Sequence, residues 1–420
     1  MDILALAAEI LTALITVSGI AYSILALWAA RQFNREVRLA PPPDAGVPGQ
    51  LAGWGPDVSF APGISILKPL KGVDAHMHAA LSSHCTQDYA GDFELLFGVS
   101  SLQDPAVAEV ARLRVEYPHL SIRLIECPAR LGPNGKLSNL AQMLPHARHE
   151  HILVNDADIL VSPRYLARVI GPFHEAVHSA KPVGLVTAPY IGHAARTLWS
   201  RLEALGIATD FLPGVLTARF LEGGLRFGLG STLATTKSAL AKIGGFEALT
   251  GQLADDYELG ARLHRAGFRI ELIHEVVATS VPAYTLRSFS DHQLRWSRTV
   301  RDSRRAGYLG LAVTYVLPWA LLTILASGGA LWSITLLSVA LLARISVALL
   351  VGVGVLNDAQ VLRDILLLPL RDGFGLFFWA WSYASNTVLW RGQRFRLKRG
   401  HLENVDAPPD SPNSPTPLTP

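Results

Sequence analysis

The chain of 420 residues is long enough for two or three domains, or for one large domain with membrane segments. Hydrophobic residues make up 50% of it and charged residues 17%, whereas soluble domains carry about a quarter charged residues. This balance excludes a disordered or highly charged chain and favours a membrane protein. The net charge of +3 does not support a nucleic-acid partner, and we expect none. The two cysteines, Cys85 and Cys127, lack metal-site spacing and are interpreted as reduced thiols of a cytosolic domain.

Residues 10–30 form an uncharged apolar run that is long enough to cross a hydrocarbon core of roughly 30 Å as a helix. A cleaved signal peptide is the alternative, but the start is acidic and no small-residue cleavage site follows. Three arginines follow the run, at Arg31, Arg35 and Arg38. The positive-inside rule therefore places the N-terminus outside and the next segment in the cytosol. We predict a membrane anchor over 1–31 and a Pro/Gly-rich linker over 32–62.

Hydrophobicity returns between Leu309 and Leu356, which is room for two membrane spans with a turn near residues 327–329. Arg344 lies inside the second span, where an arginine normally faces protein, water or a lipid head group. Charged residues interrupt the segment from Gln360 to Trp390, so we interpret it as interfacial or re-entrant, with a full span as the alternative. A basic cluster over 391–399 favours a cytosolic end that contacts anionic lipid. We assign these segments to a region over 306–400 and predict a disordered tail over 401–420.

The middle of the chain, 63–305, has the composition of a soluble domain and alternates short apolar runs with helical patterns. This alternation predicts an α/β domain with a mostly parallel sheet, in which ligands bind beyond the carboxyl ends of the strands. The predicted strands are Ile64–Leu67, Phe93–Val99, Ile122–Ile125, Ile152–Val154 and Val183–Val186. The predicted helices cover about 75–85, 106–116, 136–147 and 163–177.

Acidic residues follow several of these strands. Asp156 and Asp158 come directly after one strand and are two residues apart, so in an extended segment they point the same way. A divalent cation such as Mg²⁺ that bridges them to a diphosphate would relieve their repulsion; a polar turn is the alternative. Asp104 follows another strand and is either a nucleotide contact or the N-cap of the next helix.

Asp256 lies in the sequence Asp255-Asp256-Tyr257-Glu258 before a predicted helix. It is either a general base for an acceptor hydroxyl or one of several acids that complement the helix dipole. Gly230, in a glycine-rich turn over 228–231, allows the backbone to approach a ligand closely, although such turns are also common punctuation.

A basic amphipathic segment over 291–305 adjoins the membrane region. In it, Arg295 is a candidate for holding a phosphate leaving group and Trp296 for forming a pocket wall. The alternative is a juxtamembrane segment that contacts lipid. His292 alone is more typical of a surface or hydrogen-bonded histidine than of a catalytic one.

The order of these motifs resembles the D, D, D, (Q/R)xxRW series of membrane-bound inverting glycosyltransferases with a GT-A fold. The closer resemblance is to the ceramide glucosyltransferase family, including its bacterial relatives in hopanoid biosynthesis. It runs from the first membrane helix to about Arg399. Besides the acidic motifs, it includes the sequences ILKPLKGVD (66–74), QDPA (103–106), VGLV with PY (183–190), ADDY (254–257) and WRG with RFRL (390–397).

The resemblance implies a UDP-sugar donor, a lipid acceptor and direct displacement with inversion. It assigns Asp104 to the nucleotide, Asp156 and Asp158 to the diphosphate and a Mg²⁺ or Mn²⁺ ion, and Asp256 to the catalytic base. Arg295 and Trp296 match the end of the (Q/R)xxRW motif, and Gly230 and Gln293 are expected at the substrate. The chain departs from the motif at one position. His292 stands where the motif has Gln or Arg, which leaves its role open.

The expected sugar is glucose or N-acetylglucosamine, and the expected acceptor is ceramide or a hopanoid polyol. One alternative is a processive polysaccharide synthase, which usually needs more membrane spans than the three or four predicted here. Another is a non-catalytic membrane protein that only binds nucleotide, against which the complete set of acidic motifs argues. We expect an integral protein of the bacterial inner-membrane type, with a cytosolic catalytic domain.

Overall fold

The computed structural model describes residues 3–39, 60–175, 181–390, 393–398 and 400–404. The chain begins with one long helix, α1 (Ile3–Leu39), which contains the predicted anchor. Most of the predicted linker, residues 40–59, lies outside the described residues. So do residues 405–420 of the predicted tail.

The soluble domain follows the predicted alternation of strands and helices, with ends within four residues of those predicted. Its first half consists of β1 (Ile64–Pro69), α2 (Met77–Cys85), β2 (Phe93–Val99), α3 (Ala106–Glu116), β3 (Ser121–Glu126), α4 (Gly135–Met143), β4 (His151–Val154) and α5 (Tyr165–Glu175). Its second half consists of β5 (Val183–Thr187), β6 (Tyr190–Ala194), α6 (Leu198–Gly206), α7 (Leu212–Leu221), β7 (Leu233–Thr236), α8 (Lys237–Lys242), α9 (Asp255–Arg265), β8 (Arg269–Leu272), β9 (Val277–Val281) and α10 (Leu286–Ser303).

Seven of these strands form a central sheet in the order β3-β2-β1-β4-β7-β5-β8. The first four of that order pair in parallel, and β7 lies antiparallel between β4 and β5. The mostly parallel α/β sheet predicted from the sequence is confirmed. Because β1, β2 and β4 run in the same direction, their carboxyl ends meet at one edge, where the loops that follow them lie side by side.

Neighbouring residues of a strand contribute to cores on opposite faces of the sheet, as the alternation of strand side chains requires. Leu67 and Leu96 enter one hydrophobic cluster, whereas Ile66 and Leu95 enter another. The first cluster continues into Ala26 and other buried residues of α1 and of the C-terminal helices. The sheet domain and the membrane helices therefore share one continuous apolar core.

The C-terminal region consists of helices followed by a small sheet. In chain order these are α11 (Arg305–Thr314), α12 (Val316–Ala326), α13 (Leu331–Val347), α14 (Gln360–Asp364), α15 (Leu368–Trp381), β10 (Thr387–Trp390), β11 (Gln393–Lys398) and β12 (His401–Asn404). Strands β10, β11 and β12 form an antiparallel sheet. Strand β12 lies within the segment over 401–420 that we predicted as a disordered tail, so for residues 401–404 that prediction is wrong: they pair with β11.

Within the described residues, three helical segments are long and apolar enough to cross a membrane: 3–36, 198–221 and 331–353. A fourth span is possible if α11 and α12, which are bent by 56° relative to each other, count as one. Helix α15 has only 14 residues, or about 21 Å, which is shorter than a hydrocarbon core of roughly 30 Å.

The segment over 198–221, which we did not predict as a helix, joins the sheet domain to the membrane helices. It consists of α6, a π-helical turn over Ile207–Phe211, and α7. More than half of it is buried within the protein, because it packs against α1 and α10. A π-turn inserts an extra residue into a helix and is frequently found at functional sites.

Candidate active site

The loop after β4 is held in place by a buried asparagine. Asn155 donates hydrogen bonds to the hydroxyl of Tyr165 at 2.8 Å and to the carbonyl of Ser231 at 2.7 Å. An amide with no exposed surface requires such partners, because burying an unbonded polar group is costly. These bonds fix the backbone from which Asp156 and Asp158 project.

Each carboxylate of this pair has a partner from another element. Lys136, at the start of α4, places Nζ 2.8 Å from Asp156 Oδ1. Asp158 accepts a hydrogen bond from the hydroxyl of Thr279, and burial raises the pKa of Asp158. Lys68, at the end of β1, donates from Nζ to the backbone carbonyl of Asp156 at 3.1 Å, and burial lowers the pKa of Lys68 to about 7.

Lys136 also joins the second acidic motif, Asp156 and Asp158, to the third, Asp255 and Asp256. Its Nζ lies 3.4 Å from Asp255 Oδ2 as well as close to Asp156. Burial opposes its charge, yet Asp156 and Asp255 raise the pKa of Lys136 above its usual range. The ammonium group therefore stays protonated between acids that lie about 100 residues apart in the sequence.

Asp256, in the first turn of α9, has the environment of a proton acceptor. Its Oδ1 accepts a hydrogen bond from the backbone N–H of Tyr257 at 2.8 Å. A methyl group built on Gly230 would lie 3.0 Å from Oδ2, so this glycine packs directly against the carboxylate. Desolvation and the charge of Asp255 raise the pKa of Asp256 to about 6, while Lys136 acts in the opposite direction. Burial and a like charge are the two general causes of such a rise.

A group of aromatic rings lies between the acidic motifs and the membrane helices. Phe211 of the π-turn lies 5.4 Å from Tyr190 and 5.6 Å from Trp296, measured between ring centroids. His292 lies between Tyr284 and Trp296, at 5.5 and 6.0 Å from them. Burial raises the pKa of Tyr190, and the charges of Asp156, Asp158 and Asp256 add to this rise, so Tyr190 lies close to both motifs.

Arg295, one residue before Trp296 on α10, lines a cavity of about 330 Å³ between α10 and the C-terminal sheet. Other arginines on its wall are Arg287, Arg298 and Arg394. Arg298 Nη1 donates to the carbonyl of Thr387 at 2.5 Å, which joins α10 to β10. The cavity therefore has the positive charge that suits a phosphate-bearing molecule.

A second cavity, of about 290 Å³, lies at the carboxyl ends of β1, β2 and β3. Its wall includes Lys71, Ser100 and Gly135, and β11 closes it with Gln393 and Phe395. Asp104 is not among the described residues on this wall.

The carboxylate of Asp104 is bonded to the backbone. Its Oδ1 accepts the N–H of Ala106 and that of Gly72, each at 2.9 Å. These bonds match the capping alternative.

The structure thus brings together the second and third acidic motifs, Gly230 and Trp296. Sequence reasoning missed Lys136, Tyr190 and Phe211. A lysine next to glycine at the start of α4 is the one signal that could have indicated Lys136. Gln293 is buried, and its amide nitrogen donates to the carboxylate of Glu203.

Asp156 and Asp158 are also the candidates for a metal site. Among the described residues, no three of His, Cys, Asp and Glu converge on one point. Asp156 and Asp158 nevertheless supply hard oxygen donors, and Mg²⁺ commonly takes only one or two carboxylates and completes its shell with substrate phosphates and water. The ammonium group of Lys136 beside Asp156 shows that Asp156 pairs with positive charge at this edge of the sheet. The pair therefore fits a metal ion that arrives with a diphosphate.

Comparison with known proteins identifies the family. The family model described as "Glycosyl transferase family 21" matches residues 11–403. The chain belongs to glycosyl transferase family 21. Ceramide glucosyltransferase 1 of Caenorhabditis elegans is 27% identical over 237 residues, which cover 56% of this chain and 49% of that protein. Ceramide glucosyltransferase of Komagataella phaffii is 29% identical over 123 residues, 28% of this chain and 24% of that protein. The resemblance to the ceramide glucosyltransferase family is confirmed.

The chain spans about half the length of the curated relatives it matches over the longest segments. Among solved structures, a mannosyltransferase from Pyrobaculum calidifontis, in complex with GDP-Man and Mn²⁺, has a TM-score of 0.53 and 18% sequence identity. The alignment covers 90% of this chain and 97% of that one. The GT-A fold predicted for this family 21 member is therefore confirmed, and its apolar helices make it a membrane protein.

Proposed function

We propose that this family 21 member transfers a sugar from a UDP-sugar to a hydroxyl group of a membrane lipid, with inversion at the anomeric carbon. One observation carries the proposal: Asp256, with a pKa raised to about 6, lies against Gly230 in the same cluster as Asp156 and Asp158. This cluster lies at the carboxyl edge of the sheet, next to helices that continue into the membrane region. The names of the curated relatives support a glucosyl donor and a ceramide acceptor.

Inversion by direct displacement needs a base on the acceptor side and stabilisation of negative charge on the leaving side. Asp256 would accept the proton of the acceptor hydroxyl, for which a pKa near neutrality is favourable. Lys136 maintains a positive charge beside Asp156 and Asp255 and thereby keeps Asp256 ionised over a wider pH range. Arg295 would contact the UDP diphosphate, whose charge increases as the glycosidic bond breaks.

The donor would bind along the carboxyl edge of the sheet. The nucleotide would bind in the cavity at the carboxyl ends of β1, β2 and β3, which has Lys71 and Ser100 on its wall. Asp104, in the loop between β2 and α3, would act through the backbone that it holds at Gly72. Asp156 and Asp158 would hold a Mg²⁺ or Mn²⁺ ion, which when bound neutralises the diphosphate.

The acceptor would reach the site from the bilayer. The ring cluster of Tyr190, Phe211 and Trp296 offers an apolar wall between the acidic motifs and the membrane helices. A lipid can keep its tail in the bilayer and present only its head hydroxyl at this wall. The arginines in the last turns of α1, Arg31, Arg35 and Arg38, support a cytosolic soluble domain and an outside N-terminus, in a membrane of the bacterial inner-membrane type.

The proposal is tested by incubating detergent-solubilised protein and Mg²⁺ or Mn²⁺ with labelled UDP-glucose or UDP-N-acetylglucosamine. Ceramide and a hopanoid polyol serve as acceptors, and label is counted in the lipid extract. Transfer to either lipid that disappears in the Asp256→Asn variant, while UDP binding remains, supports the proposal and names the acceptor. Transfer that is unaffected in Asp256→Asn would exclude Asp256 as the base, and UDP binding without any transfer would favour a non-catalytic protein.

A further inference from the structure

A series of buried charged and polar groups connects the membrane helices to α10. At its membrane end, Arg344 of α13 forms a bidentate pair with Asp372 of α15, at 2.6 and 3.1 Å. Arg344 also donates to Asp210 Oδ1 at 2.8 Å and to the carbonyl of Thr209 at 3.0 Å. Both acceptors belong to the π-turn. The intramembrane arginine noted in the sequence therefore faces protein.

This series of buried charged and polar groups continues from the π-turn to α10. Arg371 Nε lies 2.9 Å from Asp210 Oδ2, as an ion pair without aligned hydrogen-bond geometry. Arg371 Nη1 donates to Gln293 Oε1 at 3.2 Å. The amide nitrogen of Gln293 donates to Glu203, whose other carboxylate oxygen lies 3.4 Å from His292 Nδ1.

The guanidinium of Arg371 occupies the space left by the missing side chain of Gly206, which we call the Arg371 slot. A methyl group built on Gly206 would lie 2.3 Å from Arg371 Nε and 2.7 Å from Cζ. Only 8% of Arg371 is exposed, so the guanidinium cannot move aside into solvent. Its rotamer, and the N–H that it presents to Gln293, are therefore fixed from three sides, by Gly206, Asp210 and Gln293.

Holding Gln293 at both ends of its amide fixes the rotation of α10 about its axis. Trp296 lies one helical turn further along, on the same side of the helix as Gln293. The π-turn makes a second contact there: Asp210 pairs with Arg371, while its neighbour Phe211 packs against Trp296. A buried ion network is seldom the most stable solution for a core, and apolar residues often replace one without loss. A role in positioning accounts for its presence here.

We infer that Arg371 is a positioning residue for the sugar transfer proposed above, acting through Gln293 to hold α10 so that Trp296 and Arg295 face the reacting groups. The inference rests on that proposed function. It also accounts for His292, the residue that stands where the family motif has Gln or Arg. Its imidazole pairs with Glu203 in the last contact of this series of buried groups.

The test compares two glycines of one helical segment. Gly206→Ala drives a methyl group into the Arg371 slot, whereas Gly214→Ala meets its nearest atom at 3.9 Å and serves as the control. We expect Gly206→Ala to lower kcat about 10-fold, since a displacement of about 1 Å at a site is worth up to about 100-fold. Gly214→Ala should retain wild-type kcat and melting temperature, whereas Gly206→Ala should also melt at a lower temperature because it displaces a buried ion pair.

A double-mutant cycle separates positioning from general damage. In a Trp296→Phe background, Gly206→Ala should lower kcat less than about 3-fold, because the group it displaces is already altered. Equal losses in both backgrounds, or no loss with wild-type Trp296, would overturn the inference. If Gly206→Ala does not fold, Arg371→Lys replaces it, with Arg201→Lys as control, since Arg201 pairs with Asp364 and does not reach α10.

The same assay keeps the two proposals apart. Transfer by the wild type that is lost in Asp256→Asn but retained in Gly206→Ala would overturn only the positioning role. Absence of transfer by the wild type would overturn both.

Discussion

Lys136 Nζ lies 2.8 Å from Asp156 Oδ1 and 3.4 Å from Asp255 Oδ2, so one ammonium group links the two acidic motifs of the site. Without it, the carboxylates of Asp156, Asp255 and Asp256 would repel each other in a partly buried setting. Lys136 is therefore the residue that allows the acids to lie this close before any donor binds.

The first prediction concerns this lysine. In Lys136→Met, loss of the cation should raise the pKa of Asp256 further, so the acidic limb of the pH–rate profile should move to higher pH. Activity at neutral pH should fall about 10-fold or more, as is typical when a group that acts in proton transfer is mis-tuned. Profiles of kcat/KM over pH 5 to about 9 measure both effects. Lys242→Met, on an exposed helix face, is the control, and an unmoved limb would contradict the assignment.

The pH dependence of the wild type follows from Asp256. Its pKa of about 6 means that the base is protonated, and unable to accept the acceptor proton, below that pH. We expect kcat/KM to fall as the pH drops through about 6. Asp255→Asn removes a like charge, lowers the pKa of Asp256 and should move the limb to lower pH. Asp88→Asn, at an exposed pair with Arg164, should leave it in place. A shift to higher pH in Asp255→Asn would refute the electrostatic argument.

Gly230 is predicted to be necessary because a side chain at this position would displace the carboxylate of Asp256. In Gly230→Ala the new methyl group would lie 3.0 Å from Asp256 Oδ2, which is closer than an oxygen and a methyl carbon normally approach. The carboxylate would shift by a few tenths of an ångström, and kcat should fall about 10-fold. Gly310→Ala has no atom within 4 Å and should retain full activity. Parallel kcat and KM measurements on the two variants decide the matter, and equal kcat values would count against Gly230.

Much of the sheet was predictable from local pattern. Buried parallel strands are continuous apolar runs, and β2 (Phe93–Val99) was predicted with its observed ends. The later strands β7 (LATT) and β8 (RIEL) are as short as β4 (HILV) but lack its apolar run, so their pattern does not distinguish them from loops. The segment over 198–221 was missed because charged residues interrupt its apolar pattern, and two of these, Glu203 and Asp210, belong to the buried network.

The small C-terminal sheet had a signal that we interpreted differently. In β11 the side chains of Phe395 and Leu397 are buried, while those of Gln393, Arg394, Arg396 and Lys398 between and around them are exposed. This alternation is typical of a half-buried strand, but the arginines drew attention to lipid contact instead. The buried ion network could not be predicted at all, because it joins residues as far apart as Asp210 and Arg371. Such pairings depend on tertiary packing.

The last prediction tests the energetic cost of that network. Arg344 and Asp372 are 4% and 0% exposed, so Arg344→Gln leaves an uncompensated charge in the protein interior. Removing one partner of a buried pair costs about 3–5 kcal/mol, and thermal unfolding in detergent should show a clear decrease in melting temperature. Arg363→Gln removes an arginine that is 53% exposed, and its buried partner Asp364 keeps its pair with Arg201, so we expect a loss of about 1 kcal/mol or less. Equal melting temperatures of the two variants would mean that burial of the Arg344 network does not add to the stability of the protein.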